Sequence, residues 1–166
     1  MLHDKYERIV CACAVCRAAC KTMPGSLIPD DIIRMAAHLG LEVDSQEFGD
    51  WILEHFCASD GMLAIDTRNG TMVRIGTIVP KQQESGACVF LSEDERCTIH
   101  EASPFACSHF GCTSSGDESM RTNDVVHAIL NSPPYQSLWN AMVACGSVAP
   151  EKTRQRRAKY EAAIDK

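Results

Sequence analysis

Eight of the ten cysteines fall in two short windows, Cys11-x-Cys13-x2-Cys16-x3-Cys20 and Cys88-x8-Cys97-x9-Cys107-x4-Cys112. No other feature restricts the fold as much. The stretch 86–112, GACVFLSEDERCTIHEASPFACSHFGC, holds four cysteines and two histidines but few residues that build an ordinary apolar core. Soft thiolates at short spacing suit Zn2+ or an iron–sulfur cluster, each of which takes about four such ligands. Disulfides are the competing use of cysteine at this density. The N-terminal MLHDKYERIV is charged and lacks an apolar run of signal-peptide length. That points to a cytoplasmic protein, where thiols stay reduced unless metallated. The expectation is a fold stapled by metal.

Cys13-x2-Cys16 is the strongest short signal, because two sulfurs three residues apart reach one ion from a turn or a helix end. A redox Cys-x-x-Cys needs a strand before it and a helix after it, and residues 1–12 do not read as a strand. Residues 4–22 read instead as a helix, or a helix running into a loop, with Tyr6, Ile9, Val10 and Cys13 at helical spacing.

The intervening chain reads as scaffold. Pro24-Gly25 is a break; Pro29 then opens a helix with Asp30 and Asp31 in its first turn, Ile32, Met35, Ala36 and Leu39 as its stripe, and Gly40 as its stop. A second helix is expected to start at Asp44, with Glu47 three residues on, and to bury Phe48, Trp51, Ile52 and Phe56. His38, His55 and Cys57 are read as packed or exposed rather than as ligands. Residues 62–79 alternate around Asn69-Gly70, a hairpin signal, and Gly86 is expected to let the backbone approach the site. Beyond a polar 113–119 linker come helical patterns at 124–130 and 135–145, with Cys145 on the inner face, and a charged helix after Pro150. The fold class is therefore mainly α with a small β-hairpin, an irregular cysteine-rich domain over 1–115 and a helical extension over 116–166 packed on it or trailing from it.

A formal charge of −6 with a pI near 5.5 argues against a general nucleic-acid binder. No apolar run approaches the roughly 20 residues that span a bilayer, so no membrane role is expected.

The run from Cys13 to Cys112 resembles the YkgJ-type cysteine-cluster family, described as a zinc- or iron-chelating domain. The resemblance rests on CAVCRAAC, Pro24-Gly25 and PDDIIRMAAHLGL in the first half. In the second half it rests on Gly86, Cys88, Phe90, Leu91, Cys97, Ile99, His100, Glu101, Pro104 and Cys107. Two positions depart from the family pattern. A paired Cys-Cys is Ala19-Cys20 here, and an Arg before the Pro is Ser103, so one ligand and one cation of the pattern are missing. Cys11 and Cys112 are both candidates for the lost sulfur.

The resemblance implies metal chelation and fixes no reaction. Cys13, Cys16, Cys20, Cys88, Cys97 and Cys107 are the core candidate ligands, with Cys11 and Cys112 supplementary. His100 and His109 are further candidates, as ligands, hydrogen-bond donors to sulfur or proton-transfer groups. Because the family often has Tyr at the His100 position, a donor or substrate-facing role is expected there over coordination. The cofactor expected is an iron–sulfur cluster or iron, with zinc as the alternative. Six core cysteines are too few to close two four-ligand sites, so an open site is expected, used for redox or substrate-modifying chemistry on a peptide or protein. A zinc-stapled interaction module without chemistry and a metal carrier are the competing readings.

Overall fold

A computed structural model describes residues 1–9, 13–22, 24–66, 69–110 and 118–150. The helices are α1 (Leu2–Lys5), α2 (Ala14–Thr22), α3 (Pro29–Leu39), α4 (Gln46–His55), α5 (Phe105–His109), α6 (Glu118–Leu130) and α7 (Pro133–Ala144). Between α4 and α5 run β1 (Phe56–Asp66) and β2 (Thr71–Pro80), an antiparallel pair, and a single 3-10 turn, His100–Ala102. The mainly α reading with one hairpin stands.

The hairpin is the platform. Its strands pair from Phe56 opposite Pro80 to Asp66 opposite Thr71, with one irregularity between Ser59 and Met62. Gly61 sits there at φ 83°, where a Cβ would lie 1.4 Å from the Ile75 carbonyl oxygen, so only glycine fits. Near the tip, the Asn69 side chain accepts from the Thr71 N–H at 3.0 Å and Gly70 takes φ 72°, as the Asn-Gly signal predicts. The strands begin earlier than expected: Phe56, read as the last turn of a helix, opens β1 instead.

One apolar core joins all the layers: Leu27, Ile28, Met35, Ile52, Phe56, Ile78, Phe105, Val126, Ile129, Tyr135 and Met142 are all at most 2% exposed. The Tyr135 hydroxyl pins α7 to it, donating to the Leu27 carbonyl at 2.8 Å and accepting from the Ile78 N–H at 2.8 Å. Gly76 lets Trp139 lie on β2, since a Cβ there would meet the indole at 2.4 Å. The segment after α7 adds one bridge to β1, Ala58 with Val148. Residues from α6 and α7 thus share a core with residues 27–105.

The local signals for α3 hold, from Pro29 at its start to Gly40 at φ 69° closing it. Asp31 does more than favour a helix dipole. Fully buried, its carboxylate accepts from the N–H groups of Ile28 (2.8 Å) and Phe105 (2.9 Å) and pairs with His3 at 2.6 Å. For α4 the cap is Ser45 rather than Asp44, its hydroxyl accepting from Phe48 N–H at 3.2 Å.

The N-terminal expectation is corrected. Instead of a helix, or a helix running into a loop, over 4–22, the described residues make a short α1, a non-helical strap over 6–9, and α2 from Ala14. The helical spacing expected of Tyr6 and Ile9 is not used, because these residues are held by partners far along the chain. Tyr6 and Lys5 reach Asp124 on α6, Leu2 N–H reaches Asp30 on α3 at 2.7 Å, and Ile9 N–H reaches the Ser108 carbonyl at 2.7 Å. Cys145 is corrected too: it follows α7 and is exposed, while Met142 takes the buried position, 0% exposed.

Candidate metal centre

After β2 the chain makes the same turn twice. Residues 82–90, QQESGACVF, and 91–99, LSEDERCTI, align at an offset of nine, with Cys88 matching Cys97. Gln83 N–H donates to the Ala87 carbonyl (2.7 Å) and Ser92 N–H to the Arg96 carbonyl (2.9 Å). Gly86 N–H donates to the Gln83 carbonyl (2.8 Å) and Glu95 N–H to the Ser92 carbonyl (3.0 Å). Each turn closes on an isolated antiparallel bridge, Gln82 with Cys88 and Leu91 with Cys97. Each also needs one residue in left-handed backbone, Gly86 at φ 88° and Glu95 at φ 59°. The result is two equivalent hooks. In each, the sulfur receives a backbone N–H from two residues on, Phe90 for Cys88 and Ile99 for Cys97.

Two further elements bring sulfur to the hooks. The Cys88 N–H donates to the Cys20 carbonyl at 2.7 Å, and the Gln82 amide donates to the Thr22 carbonyl at 3.1 Å, which docks the end of α2. Cys107, on α5, lies against Gly25, whose N–H donates to its sulfur at 3.3 Å. A Cβ at Gly25 would stand 2.8 Å from that sulfur and 2.6 Å from the Cys107 nitrogen. The close backbone approach expected of Gly86 therefore belongs to Gly25. Around Gly86 the nearest atom to a Cβ is 3.9 Å away, and that glycine serves its positive φ.

Cys20, Cys88, Cys97 and Cys107 lie close enough that every pair among them feels the other's charge. Burial pushes the Cys88 thiol up to about 11, and burial likewise raises Cys97 and Cys107, with the neighbouring sulfurs adding to each rise. Cys107 is exposed as a residue, but its sulfur sits crowded against Gly25. Without a cation these three thiols hold their protons at neutral pH, chiefly because burial penalises the thiolate and secondarily because neighbouring thiolates would repel one another. Among the described residues, no group of three or more His, Cys, Asp or Glu side chains stands in a ready coordination shell. The donors nevertheless fit a soft ion or an iron–sulfur cluster: four sulfurs, no competing carboxylate among the charges acting on them, and N–H groups already aimed at three of them. One cation approaches the cluster from the protein itself. Arg8 lowers the Cys97 thiol and donates to the His100 carbonyl and, at 3.3 Å, to Ser103 Oγ.

Of the other candidates, Cys13 is half-buried just before α2 and Cys16 lies within α2, one turn before Cys20. Cys11 and Cys112 lie outside the described residues. His100 is exposed and enters the site through its carbonyl. His109, 1% exposed, stacks on Phe105 at 4.1 Å and meets His3 edge-on at 4.9 Å, with burial pushing its pKa down. Its Nδ1 lies 2.9 Å from Ser108 Oγ, and its Nε2 is buried without a hydrogen-bond partner. His55 stacks between Trp51 and Phe90, His38 is exposed, and Cys57 is buried in β1 with its thiol pushed up to about 11. Sequence reasoning missed Arg8, Asp31 as a buried hub, Gly25 as the sulfur's contact, and the repeated turn. Only the last left a readable trace, the nine-residue spacing of Cys88 and Cys97.

No curated protein and no solved structure matches the chain. A family model does, over residues 12–127, a span that runs from the first cysteine window through both hooks, α5 and most of α6. That span is well over half of the molecule, and the chain accordingly belongs to the CxxCxxCC family, a putative zinc- or iron-chelating domain.

Proposed function

We propose that the chain holds an iron–sulfur cluster or iron at the meeting point of α2, the two hooks and α5. Cys20, Cys88, Cys97 and Cys107 are the central donors; Cys13 and Cys16 extend the set from the start of α2, and Cys11 and Cys112 are supplementary. The observation that carries this reading is the mutual charge coupling of four thiols drawn from separate segments. An arrangement that raises the Cys88, Cys97 and Cys107 thiols destabilises the ionised site unless a cation compensates it. When bound, the metal supplies electron storage or Lewis acidity.

The protein's own groups supply the rest. The N–H groups of Phe90, Ile99 and Gly25 stabilise charge on three sulfurs. Trp51, His55, Phe56 and Phe90 form an aromatic wall behind the first hook, with ring centroids 4.8–5.9 Å apart. That wall keeps water away from one side. On the other, Cys20 and Cys97 are half-buried, which leaves a face open to a small molecule or to a peptide or protein side chain. A cytoplasmic setting, where thiols are kept reduced, suits such a site.

Protein purified without added metal tests this by elemental analysis and visible absorption. Bound iron with visible bands is the expected result; colourless protein with stoichiometric zinc would favour the zinc-stapled module. That second reading draws on residues 81–99, whose turns hold only isolated bridges. Cys97→Ser and Cys107→Ser should lower metal per chain, whereas Cys57→Ser and Cys145→Ser should not. Full metal content in the first pair would overturn the donor assignment.

A further inference from the structure

The two hooks differ at one backbone-critical position. Where the first has Gly86, the second has Glu95, the only non-glycine residue at positive φ among the described residues. A left-handed backbone costs a residue that carries a Cβ, and no turn chemistry requires Glu there, since the preceding copy makes the same turn with glycine. What Glu offers is reach. Its carboxylate pairs with Lys21 and lies 3.8 Å from Arg17, two cations one turn apart on α2 that flank Cys20 in sequence.

We propose that Glu95 is a positioning residue for the sulfur cluster, a latch that holds α2 and its Cys20 against the two hooks. This rests on the metal-binding reading above and deepens it. Other docking contacts of α2 among the described residues include the Cys88 N–H to the Cys20 carbonyl and the Gln82 amide to the Thr22 carbonyl, both at the last turn of the helix. Neither restrains rotation of α2 about that end. The Arg17–Glu95–Lys21 contact spans a full turn and does restrain it, so the sulfur on α2 is kept at one distance from Cys88, Cys97 and Cys107.

The test compares Glu95→Gly, Glu95→Gln and a charge reversal, Glu95→Lys with Lys21→Glu and Arg17→Glu. The probe is Co2+, titrated against a competing chelator and followed by its thiolate charge-transfer bands. Glu95→Gly relieves the backbone, so the metal-free protein should melt no lower than the parent. Its Co2+ affinity should nevertheless fall roughly three- to tenfold, the scale of two exposed ion pairs. Glu95→Gln should weaken Co2+ to a similar extent, the reversal should restore it, and added salt should erase the difference between parent and Glu95→Gly. Hydrogen exchange of the metal-free chain separates the two layers of the argument. Faster exchange of the α2 amides, with α3 unchanged, supports the latch even if the parent takes up no Co2+, a result that would sink the metal reading alone. Parent-like affinity and parent-like α2 exchange in Glu95→Gly would overturn the latch, as would a loss of affinity matched by an equal loss of metal-free stability.

Discussion

The hairpin core and the thiols of the largely exposed hook region are both withdrawn from water, yet burial acts on them with opposite sign. Around β1 and β2 it removes Phe56, Ile78, Leu27 and Met142 from water, which stabilises the fold, and the strand ladder satisfies the backbone. Around Cys88, Cys97 and Cys107 the same loss of water raises the thiols and opposes the ionised state that metals bind. One region therefore folds on what it buries. The other, on the metal-binding proposal, awaits a cation. The comparison teaches how burial divides its labour, with an apolar platform on one side and a charge-dependent face built onto it.

The largest effect that would break this comparison is metal removal. Binding to a thiolate cage is worth on the order of 10 kcal/mol, comparable to the whole net stability of a domain. A strong chelator should lower the denaturation midpoint, and hydrogen exchange should rise first in residues 82–107 and only later in 56–80. Equal loss of protection in both would mean that the platform leans on the metal as well. Next in size, Phe56→Ala should cost about 3–5 kcal/mol, because Phe56 is fully buried with its ring against Trp51 and Phe90; chemical denaturation measures it. A loss below about 1 kcal/mol would place the core elsewhere.

Alkali probes the opposite sign of burial directly, at a thiol inside the platform. Cys57 is 3% exposed and its thiol is pushed up to about 11 by burial, with Lys81 pulling it back slightly. The folded chain holds that proton more tightly than the unfolded chain. Its contribution is therefore intact below the ordinary thiol value and is lost as pH rises towards about 11. The loss is about 1.4 kcal/mol per pH unit in that window, reaching roughly 2.7 kcal/mol. Urea melts of parent and Cys57→Ala between pH 8 and pH 11 should diverge in slope, and parallel curves would remove Cys57 from the account. Smallest, Asp31→Asn should cost roughly 1–3 kcal/mol, since it weakens a buried acceptor that ties Ile28 to Phe105 and His3. It sharpens the comparison because Asp31 joins α3 of the platform to the start of α5, two residues before Cys107. Amide exchange in 104–109 should rise more than in 56–80.

Much of the scaffold was legible because its signals are local. Pro29, Asp31 and Gly40 mark α3 by backbone preference alone, and Asn69-Gly70 marks the reversal between the strands. Expectations failed where a residue's role depended on distant neighbours. Gly25 looked like a simple break until Cys107 came to rest on it, and Cys145 shared an apolar stripe with Met142 although only Met142 faces the core. The strap before α2 could not be read because its partners, Asp124 and Ser108, are about 100 residues away.

By itself, the sequence determined that eight cysteines would gather in two windows, that a hairpin and helices would lie between and after them, and that soft-metal chemistry was the fitting use of the thiols. Spacing and residue type carry that information without reference to the rest of the chain. Only the tertiary structure decided that Cys20, Cys88, Cys97 and Cys107 share one charge environment, that Arg8 stands beside Cys97, and that Glu95 leaves the glycine pattern of the first hook to reach α2. The physical reason is range: hydrogen bonds and backbone preferences act within a few residues, whereas charge and desolvation act through space between segments that only folding brings together.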